Sequence, residues 1–171
     1  MDYKKMGARV YIRMDKGDEI LSCIRRVCCE LVIKSAMFQG IGACDKVVVA
    51  TFIPEKQDFM QHERNGMLEM ISLQGNVVTD VNGRLKEHAH GMFSYLLPDS
   101  GEIAYLGGHL HSAWISYTGE IVLDVVEDGF IGQQFDSVTY ESTTPYGNNE
   151  KAGHYVQAGD GSFFCRLTGQ I

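Results

Sequence analysis

Four of the six histidines in the chain stand in two short pairs, His88-Ala89-His90 and His109-Leu110-His111. Side chains two residues apart on a β-strand point to the same face of the sheet, so each pair would present two imidazoles together. Neutral imidazole binds zinc and also suits nickel, iron and copper. The two pairs therefore predict a divalent-metal site, with zinc as the first choice and other transition metals left open.

A turn between the two pairs predicts that they lie on neighbouring antiparallel strands. Pro98-Asp99-Ser100-Gly101 has the composition of a tight turn. If the residues flanking it pair with each other, His90 lies opposite His109, with Cβ atoms about 5 Å apart. The same register places His88 opposite His111. Four imidazoles would then converge on one face, where three of them and a water molecule could form an open metal site.

A carboxylate beside the first pair could assist the metal. Glu87 precedes His88 and is a candidate to accept a hydrogen bond from a metal-bound histidine or to shuttle a proton. Glu102 is closer to the turn and is a weaker candidate. His62 and His154 stand outside the cluster, and we do not expect them to be ligands unless a neighbouring subunit supplies them.

The elements that must position these histidines are mostly strands. Apolar residues at helical spacing predict one helix over residues 17–31, with Asp15 or Asp18 as its N-cap. Alternating or β-branched runs predict strands, and polar composition predicts a loop or tail over residues 139–161. The predicted strands span residues 8–14, 47–52, 66–78, 88–97, 103–114 and 121–126, with turns at 54–58 and 80–83.

One helix among many strands predicts an α+β (α/β) fold built on a mostly antiparallel sheet. The 171 residues suit a single domain with a sizeable core. The five cysteines include no C-x-x-C pair, which is typical of reduced thiols in a reducing compartment. No signal peptide and no apolar stretch of about 20 residues is present, so we expect a cytoplasmic protein without a membrane segment.

The net charge of −7 opposes nucleic-acid binding. Such binding depends on cationic side chains that displace counterions from phosphates. The densest basic spots, Lys4-Lys5 and Arg25-Arg26, each hold two residues and are more typical of a solvated surface. The chain also has no G-x-S-x-G, P-loop or G-x-G-x-x-G motif that would mark a nucleophile or a phosphate site.

Several motifs resemble the plant and prokaryote conserved (PPC) domain family. Residues 66–76 are similar to its Gly-apolar-Glu-apolar-x-Ser-Leu-x-Gly signature, residues 88–91 to its H-x-H strand, and residues 107–110 to its Gly-Gly-His-Leu turn and strand. Residues 15–20 and 40–43 also resemble the family. The resemblance covers residues 8 to about 130, and residues 132–171 form a divergent C-terminal extension of a single domain.

The resemblance implies a domain that assembles as a homotrimer, with a metal site near the subunit contacts. Its ligands would match His88, His90 and His109. A leucine often stands in the family where this chain has His111, so His111 would be an extra ligand or a group just outside the ligand shell.

Three functions follow as alternatives. The first is a metal-binding assembly module with a regulatory or scaffolding role, which would contact a protein partner through Gly66, Glu69, Ser72, Leu73 and Gly75. The second is a metal-dependent hydrolase or lyase, with Glu87 or Glu69 as general base and no identifiable substrate. The third is DNA binding, which accompanies the family through plant members that carry AT-hooks, although this chain has no Arg-Gly-Arg core.

Overall fold

The structure, a computed structural model, describes residues 1–80, 82–127, 131–135, 154–157 and 163–167. The elements within these ranges are β1 (Asp2–Met6), β2 (Arg9–Asp15), α1 (Ile20–Glu30), β3 (Ala36–Ile53), a 3-10 turn (Pro54–Lys56), β4 (Asp58–Asp80), β5 (Leu85–Leu96), β6 (Ile103–Val125), β7 (Ile131–Phe135), β8 (His154–Gln157) and β9 (Phe163–Leu167). No helix in this part of the chain is long and apolar enough to cross a membrane.

Four strands pair in a closed circuit, and all four of these pairings are antiparallel. β3 pairs with β4, β4 with β5, β5 with β6, and β6 returns to β3. β2 adds to β6, and β1 adds to β2. The short strand β7 runs parallel to β4 and β9, while β8 is antiparallel to β9. The predicted α+β fold with a mostly antiparallel sheet is confirmed.

Helix α1 covers one face of this sheet. Its buried side chains include Ile20, Ile24 and Val27, which recur at the spacing of one helical stripe. Fully buried strand residues such as Phe93 and Leu123 belong to the same core. The predicted helix is confirmed, although it begins and ends inside the predicted range of 17–31.

The helix cap differs from the prediction. Glu19 is the N-cap, and its carboxylate accepts hydrogen bonds from the backbone N–H groups of Leu21 and Ser22. Asp18 instead accepts a hydrogen bond from the backbone N–H of Asp15 at 2.8 Å. Asp15 and Asp18 are therefore wrong as caps, because the helix begins later than its acidic entry segment suggested.

Several predicted strands are parts of longer ones. Residues 66–78 lie within β4, and residues 103–114 and 121–126 are both parts of β6. Register shifts, such as that between Met70 and Ser72 in β4, allow these strands to bend without a turn. The loop or tail predicted for 139–161 is wrong at His154–Gln157, which pairs with β9, and the rest of that range lies outside the described residues.

An ion pair joins α1 to β5. Nε of Arg25 donates to Oε1 of Glu87 at 2.7 Å, and a second guanidinium nitrogen contacts the other carboxylate oxygen. The Glu87 side chain is only 3% exposed, so Arg25 replaces the solvent contacts that the carboxylate loses.

Arg25→Ala should lower the free energy of unfolding by about 1–2 kcal/mol, because the buried carboxylate loses its charged donor. The neighbouring Arg26 is a matched control, since its partner Glu30 is on the solvent-exposed side of the same helix. Urea unfolding should show no measurable change for Arg26→Ala. Equal changes for the two variants would contradict a specific stabilising role of the pair between Arg25 and Glu87.

Candidate metal centre

One of the two histidine pairings predicted across the neighbouring strands is confirmed. His90 on β5 lies directly opposite His109 on β6. His88 shares the face of His90, and the Nε2 atoms of these two rings are 3.3 Å apart. One ring nitrogen from each of His88, His90 and His109 lies within 4.8 Å of the others. The strands therefore bring three imidazoles to one point.

His111 does not join this group, so the predicted convergence of four imidazoles is wrong. The β5–β6 ladder stops at the pair of His90 and His109, and His88 faces Asn76 of β4 instead. Beyond that point β6 continues beside β3, where Ala50 lies opposite His109. The exposed ring of His111 remains a neighbour of His109, with ring centroids 5.4 Å apart.

Strand alternation separates the histidines from the face that α1 covers. Ala89 is buried and Glu87 contacts Arg25 of the helix, so both side chains point towards α1. The flanking His88 and His90 consequently point to the opposite face. The predicted role of Glu87 as acceptor or proton shuttle does not fit this geometry, because both of its oxygens contact Arg25.

The other predicted acid–base and ligand candidates lie away from the three imidazoles. Glu69 pairs with Ser94 on β5, four residues and so about 13 Å along the strand from His90. His62 lies on β4 opposite Val49, outside the group of three imidazoles. The side chain of His154 lies outside the described residues.

The surroundings lower the pKa of two of these imidazoles, those of His88 and His109. Burial, together with the neighbouring His88, His90 and His111, lowers the pKa of His109 to about 4. Burial also lowers the pKa of His88, with a smaller effect from His90. Neutral imidazole is the form that binds a metal. Metal binding at neutral pH would therefore displace few or no protons from these two rings.

The metal-free protein should lose stability as the pH falls from about 6.5 to about 4. In this window the unfolded chain protonates His109, whereas the folded chain does not, because its pKa is lowered to about 4. Urea unfolding with chelator at pH 7 and pH 5 measures the effect. His109→Gln should flatten the dependence, and an unchanged slope in that variant would contradict the assignment.

The donor set fits a tetrahedral ion such as zinc. Nitrogens 2.0–2.1 Å from such an ion lie about 3.4 Å apart, close to the 3.3 Å between the Nε2 atoms of His88 and His90. The same separation would also suit a hydrogen bond between two neutral rings. His109 favours a bound ion over such a hydrogen bond, since its buried Nδ1 has no hydrogen-bond partner among the described residues. A buried polar atom left without a partner is unfavourable unless the ring binds something else.

Two glycines allow the strands to approach each other at the site. A Cβ on Gly108, directly before His109, would lie 2.6 Å from the carbonyl oxygen of Ala50 on β3. A Cβ on Gly75 would lie 2.3 Å from Cζ of Phe38 and 2.4 Å from the carbonyl oxygen of His88. Side chains at either position would displace the backbone that carries a histidine.

The predicted interaction surface on β4 is only partly a surface. Leu73 is 1% exposed and belongs to the core, so it was wrongly included. Gly75 is half-buried against Phe38. Glu69 and Gly66 are exposed, and Ser72 is half-buried. Glu69 and Leu73 would share a face of a regular strand, and the register shift between Met70 and Ser72 places them on opposite faces.

Sequence reasoning missed two phenylalanines beside the histidines. The Phe59 ring lies 5.5 Å from the ring of His109 and 6.5 Å from that of His111, between centroids. Phe52 packs behind Phe59 at 5.2 Å. Both residues flank a segment predicted as a turn, and no local pattern connects that turn with a strand some fifty residues away.

This combination defines a class of protein, a small antiparallel β-domain with one covering helix and three histidines on two strands. The sequence profile of the Plants and Prokaryotes Conserved (PCC) domain matches residues 1–127, and the chain belongs to that family, the PPC domain of the resemblance above. A search of curated proteins found no match.

Solved structures share the fold. A plant- and prokaryote-conserved protein of Pyrococcus horikoshii has 26% identity and a TM-score of 0.62, covering 77% of this chain and 86% of its own. A metal-containing protein of Archaeoglobus fulgidus has 26% identity and a TM-score of 0.63, covering 80% and 93%. A Bacteroides thetaiotaomicron protein described as a "putative dna binding protein" has 21% identity and a TM-score of 0.66, covering 96% and 95%.

Proposed function

We propose that this PCC-domain protein is a metal-binding assembly module with a regulatory or scaffolding role. Its divalent ion, zinc in the first instance, is held by His88, His90 and His109. The observation that carries the proposal is the meeting of three ring nitrogens within 4.8 Å. The similar protein from Archaeoglobus fulgidus is described as metal-containing, which supports the same chemistry here.

We also propose that the chain assembles as a homotrimer. The sheet carries an open groove of about 840 Å³ lined by residues of β1, β2, β3, β4 and β6. Tyr11, Ile41 and Ile71 line it and are 43%, 56% and 46% exposed. Apolar side chains gathered on one exposed surface favour contact with another chain. Charged groups at the same groove, including Arg13 and Glu120, could set the orientation of the contact.

Elemental analysis of the purified protein tests the metal, and light scattering on the same samples tests the assembly. We expect about one divalent ion per chain and a mass of three chains. His88→Ala and His109→Ala should lose the ion. If the wild type and both variants hold equal metal, or none, the proposed site is wrong, and a monomer mass would contradict the trimer.

A metal with an open position can also activate water, which keeps hydrolase or lyase activity as an alternative. The structure weakens the two bases predicted for it, because Glu87 is paired with Arg25 and Glu69 lies along the strand from the histidines. Turnover that disappears with His109→Ala would favour this alternative over a scaffolding role.

DNA binding is the third alternative, and the net charge of −7 opposes it. We expect no retention of the protein on duplex DNA at low ionic strength, where phosphate contacts are strongest. Retention that falls steeply with added salt would contradict this expectation. A binding titration at two salt concentrations provides the measurement.

A further inference from the structure

The orientation of the His109 ring is not fixed by a hydrogen bond at Nδ1. The second ring N–H of a metal-binding histidine usually donates a hydrogen bond to a carboxylate, a carbonyl or water, which sets the rotation of the ring. Nδ1 of His109 is buried and has no such partner in the described part of the chain. No hydrogen bond between Nδ1 and a described residue sets the rotation of this ring, so packing against neighbouring side chains contributes to its orientation.

Phe59 provides that packing. Its ring lies 5.5 Å from the His109 ring, centroid to centroid, with an interplanar angle of 39°. It also meets the ring of His111 edge-on, at 6.5 Å and 84°. Aromatic pairs at these separations prefer defined tilted or edge-on geometries, so the contact restricts rotation of both imidazoles.

The backbone explains why Phe59 stands there. Phe52 and Phe59 are directly opposed at the end of the β3–β4 hairpin, which a 3-10 turn over Pro54–Lys56 closes. Ala50, two residues before Phe52, lies opposite His109. Because residues two apart share a face, Phe52, Phe59 and His109 lie on the same side of the sheet. Phe52 packs on Phe59 at 5.2 Å and supports it from behind.

We propose that Phe59 is a positioning residue for the metal site, taking over from a polar partner the task of orienting His109. The inference rests on the proposed function, since it concerns the ion that His88, His90 and His109 would hold. It predicts that the flat ring, rather than a hydrogen bond, sets the affinity and geometry of the site. A merely structural phenylalanine would change the stability of the fold without changing the coordination of the ion.

Titration of the metal-free protein with Co²⁺ tests this proposal, because the visible spectrum of the bound ion reports coordination geometry as well as affinity. Loss of an orienting partner typically weakens metal binding 10–100-fold. We expect Phe59→Ala to bind Co²⁺ at least about 10-fold more weakly with an altered spectrum. Phe59→Tyr, which keeps the ring, should stay within about twofold of the wild type.

Two further variants complete the design. Tyr105→Ala removes an exposed aromatic residue from the same strand as His109 and should leave affinity and spectrum unchanged. Phe59→Leu keeps apolar bulk without a flat ring, so it should show the same weaker Co²⁺ binding and altered spectrum as expected for Phe59→Ala. This variant keeps the test decisive if the alanine variant does not fold. Circular dichroism of each metal-free variant confirms that the fold is retained.

The outcomes separate this inference from the function on which it rests. If the wild type binds Co²⁺ and Phe59→Leu matches it in affinity and spectrum, the role of Phe59 is wrong and the metal site stands. If the wild type binds no Co²⁺, the proposed function and the role of Phe59 both fail.

Discussion

Replacing His109 with alanine should weaken divalent-metal binding by at least a hundredfold. Structural zinc sites with four ligands bind with about 10–16 kcal/mol, so one ligand contributes about 3 kcal/mol, and each 1.4 kcal/mol is a factor of ten. His109 is also the ring that lies opposite His90 and near His88, so its loss leaves two ligands on a single strand. Competition titration of zinc against a chromophoric chelator measures the change.

His111→Ala is the matched control for this result. It removes an imidazole two residues away on the same strand, with its ring 5.4 Å from that of His109 but outside the ligand group. Its zinc affinity should stay within about threefold of the wild type, well short of the 10–100-fold that removal of an orienting partner produces. Equal losses in the two variants would show that His111 is a ligand and that the three-histidine assignment is wrong.

Phe93→Ala should lower the free energy of unfolding by about 3–5 kcal/mol. Phe93 is 0% exposed and is among the largest fully buried side chains. It lies on β5, three residues after His90, and its ring covers the backbone at Gly91, where a Cβ would come within 2.7 Å of it. The substitution therefore leaves a cavity beneath the strand that carries His88 and His90.

Phe93→Leu separates cavity formation from a general intolerance of change at this position. It retains most of the buried volume, and it should cost about 1–2 kcal/mol. Urea unfolding of the metal-free proteins at one chain concentration gives both values, since a self-associating protein changes apparent stability with concentration. A loss below about 1 kcal/mol for Phe93→Ala would contradict the packing described for β5.

The pairing of His90 with His109 could be predicted from sequence because a short turn fixes the register of a hairpin. Residues 98–101 form that turn, and the backbone N–H of Leu97 donates to the carbonyl of Glu102 at 2.8 Å. Alternation then places side chains two apart on one face. The apolar stripe of α1 could also be predicted from sequence, since Ile20, Ile24 and Val27 recur at helical spacing.

The rest of the site depends on contacts between distant parts of the chain. His111 was misplaced because β6 leaves β5 after His109 and follows β3, a change of partner that the local pattern of β6 does not record. Glu87 was misassigned because its partner Arg25 lies on the helix, sixty-two positions away in the chain. Phe59 was overlooked because only the folded sheet brings its hairpin beside His109.

The most direct test of the metal site is a crystal structure of the zinc-loaded protein with an anomalous map at the zinc edge. We expect one peak per chain, about 2.0–2.1 Å from a nitrogen of each of His88, His90 and His109. His111 should remain outside bonding distance. A zinc-saturated crystal whose map shows nothing between these three rings, or a peak bound by other residues, would contradict the three-histidine site.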